Sequence, residues 1–502
     1  MRKILVGCYA ILFSFILFLL LVFDKNLLYA NKNACTYSNI ILFFLGIVIL
    51  VSILFVYKKL IKKYIDRLSS KACYIFLGIG SIIFLLIQLY VFYSIYFQTG
   101  WDCGTLEEIT DGLVYKNIDI NEGFYGYYLS TYPNNVWLVF VQYMIKLFAY
   151  YLGVKDLYFA TVVVGIIIVN ISCILSAIIV QKIGRNRHMS IGAYLLSCIY
   201  MGLSPWCVIP YSDIYAIFFT IVILYLYVTR KQSKNIYARA VWICLITILG
   251  YFIKPTVIIA LIAIAIVEGL KAITELKRNI KKILLVACIF CLCFVTGKIA
   301  TTGVRNVIGL KADSNLEYSL FHYAMMGLND ESTGTFLAED VNYSASFPNQ
   351  EERKEGNIAV IKERLQEKGI LGLGKFETKK LLMNYNNGSL AWCGEGNFFN
   401  KLFDQNTVGA NILKRFYYAE NNAGIYNIMQ MIWLIIVAMN VVAGWKGVLG
   451  KTEEIEVVFL SLIGITMFTL LFEGRARYFI LYIPYYIIAG CCGIKGIIRI
   501  KD

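Results

Sequence analysis

Apolar stretches long enough to cross a lipid bilayer recur from one end of this chain to the other. The first, about 4–23, follows Met1-Arg2-Lys3. Others occupy about 39–57, 73–93, 157–180, 191–208, 211–229, 283–301, 425–444, 455–472 and 478–494. Hydrocarbon satisfies no backbone N–H or C=O, so a stretch of about 20 such residues must close its hydrogen bonds internally. The fold class follows: all-α, a polytopic membrane protein. Of the 502 residues 59% are hydrophobic and 16% charged, against about 25% charged in soluble domains. The net charge of +15 does not point to nucleic acid, because many of the cations sit in short clusters between apolar runs. That is the pattern of cytoplasmic loops. The first stretch resembles a signal peptide but lacks a clean small-residue cleavage site, and reads as a retained helix.

Two segments decide the topology. The run 241–269 is interrupted at Lys254-Pro255. Proline breaks the hydrogen-bond ladder and a mid-bilayer lysine is costly, so this run reads as two shortish helices meeting at the outer face. The count becomes about twelve spans, at about 20 residues each. Segment 133–152 is apolar enough to cross, but a crossing there would put Lys182, Arg185, Arg187, Arg230, Lys231, Lys234, Arg239 and the run Lys271, Lys277, Arg278, Lys281, Lys282 outside. With Gln142 and Lys146 inside it, this segment reads as an external or re-entrant helix. Both termini are then cytoplasmic. The chain divides into N-terminal spans (1–93), a first external loop (94–156), a membrane core (157–301), a large external loop (302–424) and C-terminal spans with a short tail (425–502). Ile358, Ile361 and Leu365 at helical spacing predict a small, mostly helical external subdomain.

Of the 14 cysteines most lie within apolar spans, and Cys288, Cys291 and Cys293 read as small packing residues. Cys35, Cys103 and Cys393 are expected to face outward, where a disulfide is open to them. The only histidines are His188 and His322, and no metal site is expected.

On this topology polar groups gather on the outer side. Asp102, in Trp101-Asp102-Cys103-Gly104, follows a span directly and is the candidate catalytic base. Glu107 and Glu108 follow in the same loop, and Asp213 (in Pro210-Tyr211-Ser212-Asp213) and Glu395 are candidates for positioning donor or acceptor. Asp213 also suits a helix cap. Arg475 and Arg477, in Glu473-Gly474-Arg475-Ala476-Arg477-Tyr478, stand where the charge rule disfavours cations. They pair with Glu473 and lipid phosphates in one reading. In the other they join Lys254 to hold a phosphate, whose oxygens match the guanidinium fork.

Trp101-Asp102, Tyr132-Pro133-Asn134-Asn135, Pro210-Tyr211-Ser212-Asp213, Ile253-Lys254-Pro255-Thr256, Met325-Met326-Gly327-Leu328-Asn329 and the Glu473–Tyr478 turn together resemble bacterial GT-C glycosyltransferases, from about residue 95 onward. The nearest group is the cell-wall-associated members of Gram-positive bacteria. Protein O-mannosyltransferases, aminoarabinose transferases and the oligosaccharyltransferase catalytic subunit are more distantly similar. The resemblance implies a polyprenyl-phosphate sugar donor, inverting transfer at the outer membrane face to a cell-envelope glycan or protein acceptor, and a base in the first outer loop, which maps to Asp102. Asp102-Cys103-Gly104 stands where relatives have paired acids, which implies no metal cofactor. The competing readings are a polyprenyl-linked glycan flippase, an O-antigen-type polymerase, and a non-catalytic scaffold of a glycan-assembly complex. Against the flippase, the polar groups gather at one face rather than within mid-membrane helices.

Overall fold

The computed structural model describes residues 2–23, 35–274, 276–403, 405–418, 423–447 and 453–494. The tail at 495–502, and the side chains of most of the basic run at 272–283, lie outside the described residues. Among the described residues nine helices are long and apolar enough to cross a membrane: Lys3–Val22, Asn39–Arg67, Lys71–Ile95, Leu157–Gly184, Ile236–Ile253, Leu284–Ile308, Gly424–Gly447, Glu453–Leu471 and Ala476–Ile494. The three remaining expected spans are shorter or broken. Arg187–Ser197 runs on through a π-turn at Cys198–Gly202 and a 3₁₀ turn at Pro205–Val208. Ser212–Val228 and Ile258–Thr274 are regular helices of 17 residues each.

The helix Ala423–Gly447 sits at the seam of the first and last spans. Gly444 lets it approach the Arg2–Val22 helix so closely that a Cβ there would lie 2.7 Å from the Ala10 Cα. Small residues at such crossings let backbones meet where lipid supplies no hydrophobic drive. Tyr9 donates to the Asn440 side chain at 2.5 Å across the same seam. A buried polar set inside the bundle is partnered in the same way: Asn170 spans Ser81 and Gln88, and Gln88 donates to the Gly202 carbonyl at 2.8 Å.

The helix Val136–Tyr151 buries polar residues beside Val136, Leu138 and Val139 and leaves large apolar ones exposed on its other face. Gln142 and Lys146 are buried, whereas Phe148 and Tyr151 are 68% and 78% exposed. Gln142 donates to the Pro210 carbonyl, and Trp137 stacks on Phe252, one residue from the end of its helix. At the other end of this segment, Asp156 caps the Leu157–Gly184 helix and accepts from Tyr96 at 2.5 Å. The segment therefore begins and ends beside the same end of the bundle.

The large loop does more than cap that end. Its helix Gln350–Tyr385, kinked at Gly369, runs down into the bundle. There the Tyr385 hydroxyl meets Thr466 at 2.5 Å and Tyr486 at 2.8 Å. Further along the same loop, Trp392 is 2% exposed and packs edge-on against Trp206.

Candidate functional site

The ends of four helices and three loops meet at this end of the bundle. The helix Ser70–Ile95 finishes just before Phe97-Gln98, which pair antiparallel with Lys401-Leu402. Gly100 N–H donates to the Asn397 carbonyl at 2.9 Å, so the loop carrying Glu395 lies against the chain entering Asp102. Asp102 then opens the helix Asp102–Tyr115, where a carboxylate is favoured by the helix dipole. Lys254 ends the helix Ile236–Ile253 in an extended conformation, as the residue before proline prefers. Pro255 starts the next turn.

Six side chains from these pieces form a row of alternating charge. Lys254 Nζ lies 2.6 Å from Asp213 Oδ1, and Arg477 Nη1 lies 3.2 Å from Asp213 Oδ2. Glu395 joins the two arginines, with Oε1 3.0 Å from Arg477 Nε and Oε2 3.3 Å from Arg475 Nη1. Glu473 closes the row, its Oε1 3.7 Å from Arg475 Nε. Three cations face three carboxylates, so the row as a whole is neutral. Arg477 is also caged by rings, its guanidinium carbon 4.6 Å from the Trp101 centroid and 5.4 Å from those of Tyr211 and Tyr478. Burial pushes the Lys254 ammonium down, while the Asp213 charge opposes that.

Asp102 stands beside this row without an ion-pair partner among the described residues. The Tyr211 hydroxyl donates to its Oδ2 at 3.3 Å, and the Tyr128 hydroxyl is a second donor. Tyr128 is itself held by Asn135, whose amide donates to it at 2.8 Å. Burial pushes the Asp102 carboxyl above its ordinary value, and the Arg477 charge and the tyrosine hydroxyls recover part of that. A desolvated carboxylate with no cation clasped to it is a stronger base than a solvated one. Burial raises Glu473 as well. All the other carboxylates of the site face lysine or arginine, and no trio of metal-ligating side chains forms among the described residues.

Of the residues expected to converge, Asp102, Asp213, Lys254, Glu395, Arg475 and Arg477 do so. Glu107 and Glu108 do not. Glu107 turns to the other side of its helix, where Lys146 Nζ lies 2.8 Å from it and 2.8 Å from Asp111. This fully buried lysine fastens Val136–Tyr151 to Asp102–Tyr115, and burial drives the Glu107 carboxyl up to about 7. Glu108 is exposed and receives only a 3.4 Å contact from Tyr125. Asp213 does not cap its helix: the N-cap is Tyr211, and both Asp213 oxygens are taken by cations. Cys103, expected to face outward, is 2% exposed, and the described cysteines are all free thiols. Tyr128 and Tyr211 were not singled out from the sequence. Tyr211 lies within a quoted motif, but a tyrosine among 37 carries no signal of its own.

No curated protein matches the chain. A helical bundle with several apolar helices spanning its length is what an integral membrane protein requires. The family described as conserved hypothetical integral membrane proteins matches residues 1–495, and the chain belongs to it.

Proposed function

We propose that the protein is an integral membrane glycosyltransferase that moves a sugar from a polyprenyl phosphate to a cell-envelope glycan or protein acceptor. The observation that carries this reading is Asp102, among the described residues the one carboxylate beside the charged row that no cation clasps. In the proposed reaction Asp102 takes the proton of an acceptor hydroxyl. The acceptor oxygen attacks the anomeric carbon from the face opposite the phosphate. The bond from that carbon to the phosphate oxygen breaks, and the lipid phosphate leaves with the electron pair. Arg475 and Arg477 are the cations that face the departing charge: of their ion-pair contacts, Arg477 Nη1 to Asp213 is a hydrogen bond, whereas both Nε–H groups lack an acceptor among the described residues. Fixed donors aimed at developing charge stabilise it without reorganisation.

The proposed topology is twelve crossings with both termini cytoplasmic and the row on the extracytoplasmic face. Supporting it, the opposite end of the bundle carries the cations of the loops 182–187 and 230–239, with no acid within either loop. Arg230 there joins Glu268, Glu453 and Glu454 at 2.8–3.2 Å, with Lys231 and Lys271 alongside. Purified protein given a panel of undecaprenyl-phosphate sugars and candidate wall polymers is expected to transfer one sugar and release undecaprenyl phosphate. Absence of turnover with every donor, together with flipping of the same lipids across vesicles, would replace the enzyme with a flippase.

A further inference from the structure

Lys380 is buried completely, yet among the described residues no carboxylate forms an ion pair with it. Its ammonium instead donates to three carbonyls: Gly327 at 2.6 Å, Leu470 at 2.7 Å and Phe472 at 2.6 Å. An ammonium has three donors, and all three are used. Two of the acceptors belong to the end of the Glu453–Leu471 helix, and the third to the segment after the helix Leu320–Met326. The same two segments are laced together by their backbones. Glu473 N–H donates to the Tyr323 carbonyl and Gly474 N–H to the Gly334 carbonyl, both at 2.9 Å. The fit around the lysine leaves no slack. A Cβ on Gly334 would lie 2.5 Å from the Gly327 carbonyl oxygen, and one on Gly474 would lie 2.7 Å from the Thr469 carbonyl oxygen. Gly334 also sits at φ +74°, where a side chain is strained.

We propose that Lys380 is the positioning residue for the Glu473–Arg477 turn, clasping it to the outer-loop segment 323–334 so that both arginines keep their register in the charged row. Its effect on catalysis rests on the glycosyl-transfer reading, whereas the clasp itself does not.

A buried ammonium is costly, and three carbonyl dipoles without a formal counter-charge only partly offset that. Burial accordingly lowers its pKa to about 8, against the pull of Glu377 on its own helix and Glu473 on the turn. Asp330, on the 323–334 segment, is occupied by Lys368. A neutral amine keeps two donors for three carbonyls, so the clasp loosens as pH rises through that value.

Hydrogen–deuterium exchange of the detergent-solubilised full chain reads the clasp without any substrate. In Lys380→Met, which keeps length but has no donor, protection of the Glu473 and Gly474 amides is expected to fall about ten-fold or more, while the Ala423–Gly447 helix is unchanged. In the unaltered protein, exchange of the same peptide, normalised to the intrinsic rate at each pH, is expected to rise between about pH 7 and 9, bracketing the lowered pKa. Wild-type protection in the variant overturns the proposal. If the variant does not fold, the pH series decides alone, and a flat series overturns it. Loss of protection with no transferase activity in any form of the protein would keep the clasp and reject the enzymatic reading.

Discussion

At the scale of single residues, Asp102 and Arg477 differ in what they can still do. Arg477 is held in ion pairs with Asp213 and Glu395, whereas Asp102 has spent its acceptors only on neutral tyrosine hydroxyls. Asp102→Asn keeps the shape but cannot take a proton. Transfer is expected to fall by roughly a hundred-fold to ten-thousand-fold, the usual worth of a general base, with folding preserved. Because burial raises its pKa, kcat/KM is expected to decline on acidification at a pH above the ordinary aspartate value of about 3.9. The base must be ionised to work, so activity is present above the raised pKa and lost below it. A pH–rate profile checks this, and near-normal turnover by the Asn variant would remove Asp102 from the role. Asp102 was legible because an acid directly after an apolar span is unusual. Its tyrosine donors were not, because nothing in the chain separates them from tyrosines that only pack.

At the scale of elements, the pairing of Asp102–Tyr115 with Val136–Tyr151 shows how a reading from sequence goes astray. Glu107 and Lys146 are 39 positions apart, and only the packing of two short helices brings them to 2.8 Å. The four acids of the Asp102–Tyr115 segment look alike as a string, but helical geometry turns Asp102 and Glu107 toward different neighbours. Lys146→Met removes the charge that both Glu107 and Asp111 face. Breaking such a buried pair costs about 3–5 kcal/mol, which is expected as a lowered Tm in detergent. The loss has a sign in pH. The folded pKa of Glu107, about 7, already lies above its unfolded value, so protonation favours the native state. Without Lys146 that pKa rises further. The variant is therefore expected to be least impaired in acid and to lose stability progressively as pH increases through the neutral range. A deficit that does not change with pH would mean that Glu107 titrates elsewhere.

At the scale of the whole molecule, two ion-pair clusters mark opposite ends of the bundle. One contains Lys254, Asp213, Arg477, Glu395, Arg475 and Glu473; the other is centred on Arg230. Orientation follows from which end faces the cytoplasm. An impermeant maleimide applied to intact cells is expected to label a cysteine at position 370, where the native isoleucine is 91% exposed beyond the first cluster. A cysteine at Lys231, beside the second cluster, is expected to react only after permeabilisation. The reverse pattern would put Asp102 on the cytoplasmic side and remove the topology on which the proposed donor depends.

The chain by itself determined that this protein is a helical membrane bundle, where the Lys254-Pro255 break falls, and that acids and arginines gather at one end. Each of these rests on local physics: the length of apolar runs, the missing N–H of proline, and the cost of charge in hydrocarbon. Tertiary structure alone decided how those charges are spent. Glu395 reaches Arg475 and Arg477 from a loop tied to the chain ahead of Asp102 by the pairing of Phe97-Gln98 with Lys401-Leu402 and by Gly100 N–H on the Asn397 carbonyl. Lys380, about 90 residues before the arginine turn, meets two carbonyls just ahead of that turn and a third at Gly327. Both use long-range hydrogen bonds to backbone carbonyls that every residue carries, and such groups leave no mark in the order of side chains.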